Sequence, residues 1–382
     1  MSGFDIESAP NPDLDAGDEG RSHWQHADHR RRGWHNLHEI ARYGISLRAA
    51  RVMRLEKRMD LRLAALESVR AMTSLPWFSA MVVIRGHHVL FERYAPDFGP
   101  ERPHSIQSIT KTTLNLIIGT LVAQGLLDLS KTTRDYLPTI GSGYADATLQ
   151  SVLDMGVAND YSEDFSDPSS TYFRHEEVMG WRLPARGARQ ALHDFLGHIS
   201  SSNVHPTGAG VDYKDANSDV LGWVAERVSG KPLRHFLADI TDAAGLERAL
   251  YITTDRDGTP WLAGGACLTA RDLARYFSLF VRHGRAIDGR EVGSTEFIGQ
   301  TLRGGRPMQD SYAGIRYSNQ LMVRGQTVMH SGWGGQYAIA DLDSGTVGVF
   351  LSVIEDHHAL TRGYIGQVIQ MFDDILQIDR EV

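Results

Sequence analysis

A single cysteine, Cys267, stands among 382 residues, which excludes an intramolecular disulfide and any multi-cysteine metal centre. Lysine is nearly as scarce: Lys57, Lys111, Lys131, Lys214 and Lys231 are the only ones among 39 basic residues. Positive charge is not in excess. The formal net charge is −8, so no global basic field exists to hold nucleic acid or anionic lipid. Long apolar runs are also missing, and a stretch such as Ala80 to Ile84 falls far short of the ~20 residues of a membrane span. The first twenty residues are polar and acidic, without the apolar centre of an export signal. With no disulfide framework, a cytoplasmic location is the expectation. None of the 17 histidines has the H-E-x-x-H spacing of a zinc site, and Gly141-Ser142-Gly143 matches neither a phosphate loop nor a dinucleotide fingerprint. His87-His88 and His357-His358 read as turn and surface residues, and Cys267 as buried packing. These patterns point to neither a zinc site nor a nucleotide cofactor.

What is present is ordinary for a globular protein, with 42% hydrophobic and 23% charged residues. At roughly 150 residues per domain, the length fits two or three domains or one two-lobed unit. Seven of the residues from Arg21 to Arg32 are His or Arg, and Trp34 follows; residues 1–36 are expected to be a flexible arm, the alternative being an arm packed over a pocket. Leu37 to Met72 has apolar residues at helical spacing. Phe78 to Ile84 and Val89 to Tyr94 read as strands joined by a tight turn. Helices are predicted over Thr112–Leu127, over Asn217–Val228 with a stop at Gly230, over Thr269–His283 with Thr269 as cap, and over Gln367–Ile378. Residues 312–353 are rich in strand patterns. Strands at both ends and helices in the middle suggest an α+β protein whose sheet gathers distant segments. The expected division is a sheet domain of residues 37–107 and 246–382, with a mostly helical lobe of residues 108–245.

Three segments carry candidate chemistry. Ser108-Ile109-Thr110-Lys111 is the one place where a serine stands three residues before a lysine. The motif is short, but it falls at the entry to an apolar helix. There the hydroxyl and the amine share a face, and unpaired backbone N–H groups collect at the positive end of the helix dipole. A crowded, buried lysine can accept a proton. The alternative is a serine cap followed by a surface lysine. Tyr213 lies in a loop before the second helix, where a phenol beside an ammonium makes a credible proton relay; a packed aromatic is the alternative. His330-Ser331-Gly332-Trp333-Gly334-Gly335-Gln336 joins two strands, and its small residues would let a substrate backbone approach. The alternative is a glycine-rich hairpin. Trp181, Trp333, Phe165 and Tyr172 are candidates to line an apolar acyl pocket, with core packing an equal reading for Trp181.

In this order and spacing the three segments resemble the serine β-lactamase, penicillin-binding-protein and esterase superfamily, whose signature is S-x-x-K, a polar second motif and K-T-G. The resemblance is closer to the 6-aminohexanoate-dimer hydrolase branch and its carboxylesterase relatives. It is carried by Val152–Met155, Asp160–Pro168, Gly180–Arg182, Tyr213–Asn217 and Gly264–Ala274, and runs from about Trp24 to near residue 370. It implies a β-lactamase/transpeptidase-like fold, an antiparallel sheet flanked by helices plus a helical lobe, with the pocket between them. It also implies Ser108 as nucleophile, Lys111 and Tyr213 as shared general base and acid, and the N–H groups of Ser108 and Trp333 as oxyanion hole. Tyr161, Phe165, Tyr172, Trp181, Asn217, His330 and Gly335 would bind substrate.

The departures from that pattern carry information. His330 replaces the lysine of the third motif, which weakens a site for a β-lactam carboxylate. Asn217 is four residues after Tyr213 instead of two, as in the nylon-oligomer branch. Phe165 stands where that branch has a tyrosine that protonates the departing amine, and a phenyl ring cannot donate a proton. An alkoxide leaves more readily than an amide anion, so esters are expected to be favoured. The readings carried forward are a hydrolase of carboxylic esters or small amides, a β-lactamase or DD-peptidase type of enzyme, and a non-catalytic binding protein of the same fold. The expected partner is a small-molecule substrate, with neither nucleic acid nor membrane; a homodimer is one option.

Overall fold

The computed structural model describes residues 23–183, 190–201, 208, 210–308, 314–355 and 363–380. The predicted hairpin forms as β3 (Phe78–Arg85) and β4 (His88–Tyr94), turned at Gly86. It does not stand alone. β3 pairs with β13 (Thr346–Ser352), at the other end of the chain, from Thr346↔Arg85 to Ser352↔Phe78. The sheet continues through β12 (Gln336–Asp341), β11 (Thr327–Gly332), β10 (Leu321–Arg324), β9 (Arg316–Ser318) and β8 (Arg306–Pro307). On its far edge β2 (Glu56–Lys57) pairs with β4 and completes nine strands. That edge pair is parallel and the other neighbours are antiparallel. Every residue of β12 and β13 is buried, as expected for central strands covered on both faces. The helices Ala270–Val281 and Tyr364–Arg380 supply cover.

A second, four-stranded sheet runs β1 (Gly44–Leu47), β6 (Leu250–Thr253), β7 (Ala266–Leu268), β5 (His104–Ser105). Its first strand corrects the helix expected over residues 37–72. That stretch contains the end of the helix Arg30–Ile40, β1, β2 and the short helices Leu61–Ala65 and Glu67–Thr73. Pairing of Gly44–Leu47 with Leu250–Thr253 supplies non-local hydrogen bonds that local periodicity cannot reveal.

The flexible arm expected over residues 1–36 is corrected as well. Residues 1–22 lie outside the described residues, but Trp24 and Trp34 are buried in the core and Arg30 is 3% exposed. The chain between the sheet segments is helical. Thr113–Ala123 packs against Asp215–Ser229, and the latter ends at Gly230 with φ 67°, a left-handed cap that glycine adopts at no steric cost. Thr269 caps Ala270–Val281 by accepting the Asp272 N–H. Among the described residues no helix is long and apolar enough to cross a membrane.

Candidate active site

Ser108 and Lys111 sit on a 3-10 turn, Gln107–Thr112, that leads into the Thr113–Ala123 helix. The residue before the serine, Gln107, has φ 49°. A non-glycine residue in the left-handed region is held there against its own preference; here β5 on one side and the apolar helix on the other over-determine the turn. Three-residue spacing on a 3-10 turn puts side chains in line, and Lys111 Nζ lies 3.0 Å from Ser108 Oγ.

The lysine is fully buried and its other partners are fixed. It donates to Asp215 Oδ1 at 2.6 Å and to the Ala263 carbonyl at 2.5 Å. Both are acceptors only, so they take two N–H groups. The remaining tetrahedral position of the nitrogen faces the serine hydroxyl. An ammonium donates there; a neutral amine accepts the hydroxyl proton. The geometry serves both states without moving an atom.

Asp215 is the residue the sequence reading missed. It opens the Asp215–Ser229 helix, where a carboxylate meets the positive end of the dipole. It stands two residues after Tyr213, the spacing of the superfamily's usual second motif. The resemblance pointed to Asn217, four residues after Tyr213. Asn217 is instead buried in the helical lobe, accepting from Tyr144 Oη at 2.7 Å, and it is not among the residues lining the cavity.

That cavity, about 410 Å³, is lined by Ser108, Tyr213, Asp215 and the expected Phe165, Tyr172, Trp181, His330 and Trp333, together with Glu163, Trp261 and Tyr317. Tyr213 meets Lys111 through its ring, whose centre is 4.9 Å from Nζ. Two further expectations are corrected. Tyr161 turns its hydroxyl into the core, 2.9 Å from His175 Nδ1. His175 Nε2 is 3.2 Å from Asp219, which accepts Trp261 Nε1 at 3.1 Å, so Tyr161 supports the wall from behind. Gly335 sits within the turn after Trp333, its carbonyl accepting from Ser352 Oγ at 2.8 Å, and it does not line the cavity.

Trp181 satisfies both readings offered for it: it lines the cavity and anchors in the core by donating to Thr253 Oγ1 at 3.0 Å. Phe165 is 49% exposed and its ring stacks on Trp333 at 5.9 Å. Gly332 explains how Trp333 reaches the serine. A Cβ there would stand 2.6 Å from the Ile106 carbonyl, so only glycine lets β11 run against the turn carrying Ser108.

The electrostatics follow from burial. His330 is pushed down to about 3 by burial and by the charge of Lys111, so the imidazole is neutral. Its Nδ1 lies 2.7 Å from the Ser331 carbonyl and must carry the proton, leaving Nε2 to accept from Tyr317 Oη at 3.3 Å. The third motif therefore holds no cation. Glu163 accepts the backbone N–H of Asp215, and burial with the Asp215 charge holds its carboxyl well above the usual range. Nothing in the sequence singled it out. Away from the cavity, Glu56, His87 and His88 bring three potential ligand atoms together at the exposed hairpin turn; the charge of Arg58 bears on His88 there and opposes a cation.

Comparisons with known proteins show the family and the fold. A model of the family described as Beta-lactamase matches residues 71–362. The chain belongs to the beta-lactamase family. Within that family it is similar to the 6-aminohexanoate-dimer hydrolase of Paenarthrobacter ureafaciens, 33% identical over 306 residues, which is 77% of this chain and 75% of that protein. Its fold is similar to a Bacillus anthracis structure whose own assignment as a 6-aminohexanoate-dimer hydrolase is provisional, with TM-score 0.81 and 19% identity over 98% of this chain and all of the other. A family VIII carboxylesterase matches with TM-score 0.54 and 14% identity over 81% and 96% of the two chains. Family and relatives together make this chain a hydrolase.

Proposed function

We propose that the chain hydrolyses carboxylic esters and small amides through an acyl-enzyme on Ser108. The observation that carries this reading is the Lys111 nitrogen, saturated by Asp215 and Ala263 on two sides and 3.0 Å from the serine hydroxyl on the third. Lys111, with Tyr213, takes the Ser108 proton as Oγ bonds to the substrate carbonyl carbon. The N–H groups of Ser108 and Trp333 hold the tetrahedral oxyanion, a contribution of ~3 kcal/mol per donor in comparable sites. As the bond to the leaving group breaks, Tyr213 returns the proton to it. Water then attacks the acyl carbon, the same pair accepts its proton, and that proton passes to Oγ as its bond to the acyl carbon breaks, regenerating the serine hydroxyl.

Two features set the substrate preference. Neutral His330 offers no charge partner for a substrate carboxylate, which argues against a β-lactamase or cell-wall peptidase role. Phe165 provides no proton, which favours ester over amide leaving groups. The P. ureafaciens relative is named for an amide substrate, and the phenylalanine is the reason that substrate is not carried over unchanged.

The test is hydrolysis of a short-chain nitrophenyl ester by the wild type and by Ser108→Ala, with fluorophosphonate labelling mapped by peptide mass. Loss of turnover and labelling at Ser108 is the expected result. Equal rates in the two proteins remove Ser108 from the mechanism, and an unlabelled serine favours a binding role. Rapid nitrocefin turnover would restore the β-lactamase reading.

A further inference from the structure

We propose that residues 24–35 form a strap that sets the position of Trp333, with Trp34 and Arg30 as positioning residues for the oxyanion side of the cavity; the inference rests on the reading of Trp333 as an oxyanion donor. The Trp34 indole donates to the Trp333 carbonyl at 3.1 Å, and Gln336 Nε2 donates to the same oxygen at 3.1 Å. Two donors on one carbonyl fix the Trp333–Gly334 peptide plane and so anchor the backbone at Trp333, whose own N–H lies in the adjoining plane. Arg30 places its guanidinium 4.8 Å over the Trp333 ring. That guanidinium is itself anchored, donating to the Ile354 carbonyl at 2.6 Å and the Gln25 carbonyl at 3.0 Å. Ile354 in turn donates to the Gly334 carbonyl at 2.9 Å. The turn that carries the oxyanion donor is thus held from outside the cavity by residues of the strap.

The strap also reaches the opposite wall. Trp24 donates to the Trp181 carbonyl at 3.1 Å, and Gln25 donates to Glu176 at 2.5 Å. The rings of Trp181, Trp24, Trp34 and Trp333 follow one another with centres 5.0, 5.2 and 5.2 Å apart. The two ends of this row line the cavity from different parts of the chain, and the two middle rings belong to the strap. Indole N–H groups in a core must find acceptors in any case. What distinguishes this arrangement is that both acceptors are carbonyls of cavity-lining residues. A misplacement of catalytic groups by about 1 Å costs up to about a hundredfold in rate.

The experiment uses the full chain with Trp34→Phe, which keeps an aromatic ring but deletes the indole N–H along with the five-membered part of the indole. On a nitrophenyl ester, kcat is expected to fall about tenfold with KM within about twofold, and Ser108 labelling by a fluorophosphonate to slow by the same factor, since the phosphoryl oxygen uses the same donors. Trp24→Phe is expected to raise KM and spare kcat, because it frees the Trp181 wall and leaves the Trp34 bond intact. Unchanged kcat in Trp34→Phe, whatever its melting temperature, overturns the inference. So does an equal loss of kcat in both variants. If Trp34→Phe yields no folded protein, Arg30→Gln carries the same test, with reduced kcat expected and unchanged kcat overturning it. The parallel Ser108→Ala measurement separates the two levels. Turnover retained there removes the hydrolase mechanism itself; turnover abolished there but untouched by Trp34→Phe removes only the strap.

Discussion

The floor and the rim of the cavity are built by different physics. The floor, Ser108, Lys111, Asp215 and the Ala263 carbonyl, is held by charge and short hydrogen bonds around a lysine with no exposed surface. The rim, Phe165, Tyr172, Trp181 and Trp333, is held mainly by ring packing, and Phe165 is about half exposed. A buried charge tolerates no change of partner, because desolvation leaves nothing to replace it. A ring contact can be exchanged for another ring at small cost. Chemistry is therefore expected to reside in the floor and in the backbone N–H of Trp333, and selectivity in the side chains of the rim.

The largest effect should come from Ser108→Ala, with ester turnover falling by about 10⁴ or more if the serine and lysine act as a unit. Lys111→Met should be nearly as inactive and also less stable by about 3 kcal/mol, because Asp215 loses its partner. Urea unfolding would read the stability loss. The double variant Lys111→Met with Asp215→Leu then sharpens the comparison: stability should return while activity does not. Recovery of activity would show that the charge pair is not catalytic.

Acid should weaken the protein through buried neutral histidines. His330 is held down to about 3 and His104 to about 4, both by burial first. Between the ordinary histidine value and these lowered ones, the unfolded chain binds protons that the native state refuses. Stability should accordingly fall as pH drops below about 6.5, by up to ~1.4 kcal/mol per pH unit for each such group. Denaturant midpoints measured from pH 7 down to pH 4 check the slope, and replacing His330 with Gln should flatten it.

The smallest effect tests the rim. Phe165→Tyr places a phenol in the cavity and should raise amide relative to ester hydrolysis several-fold, a small part of the ~10²–10⁴ a well-positioned general acid can supply. The ratio of 6-aminohexanoate-dimer to nitrophenyl-ester rates measures it. An unchanged ratio would show that leaving-group protonation comes from elsewhere, with Glu163 and Asp212 among the other carboxyls of the lining.

The sequence reading picked out spatial neighbours where a local motif carried it. Ser108, Lys111, Tyr213, Phe165, Tyr172, Trp181, His330 and Trp333 all meet at one cavity. It failed at residues supplied by the resemblance alone. Asn217 was taken from it, while Asp215, two residues after the tyrosine, held the place. Tyr161 was implied by the family resemblance, yet the chain turns its hydroxyl toward His175.

Sequence alone determined the helix caps, the Phe78–Tyr94 hairpin, the serine-to-lysine spacing and the replacement of the third motif's lysine by a histidine. These depend on neighbours within a turn or two, where propensity and stereochemistry act. Only the tertiary structure decided which carboxylate meets Lys111, which rings face the cavity and how the segment around Trp24 and Trp34 lies against both walls. Those outcomes depend on contacts spanning a hundred residues or more, between Lys111 and Asp215 or Trp34 and Trp333. Burial then turns such contacts into lowered or raised proton affinities that no local pattern encodes.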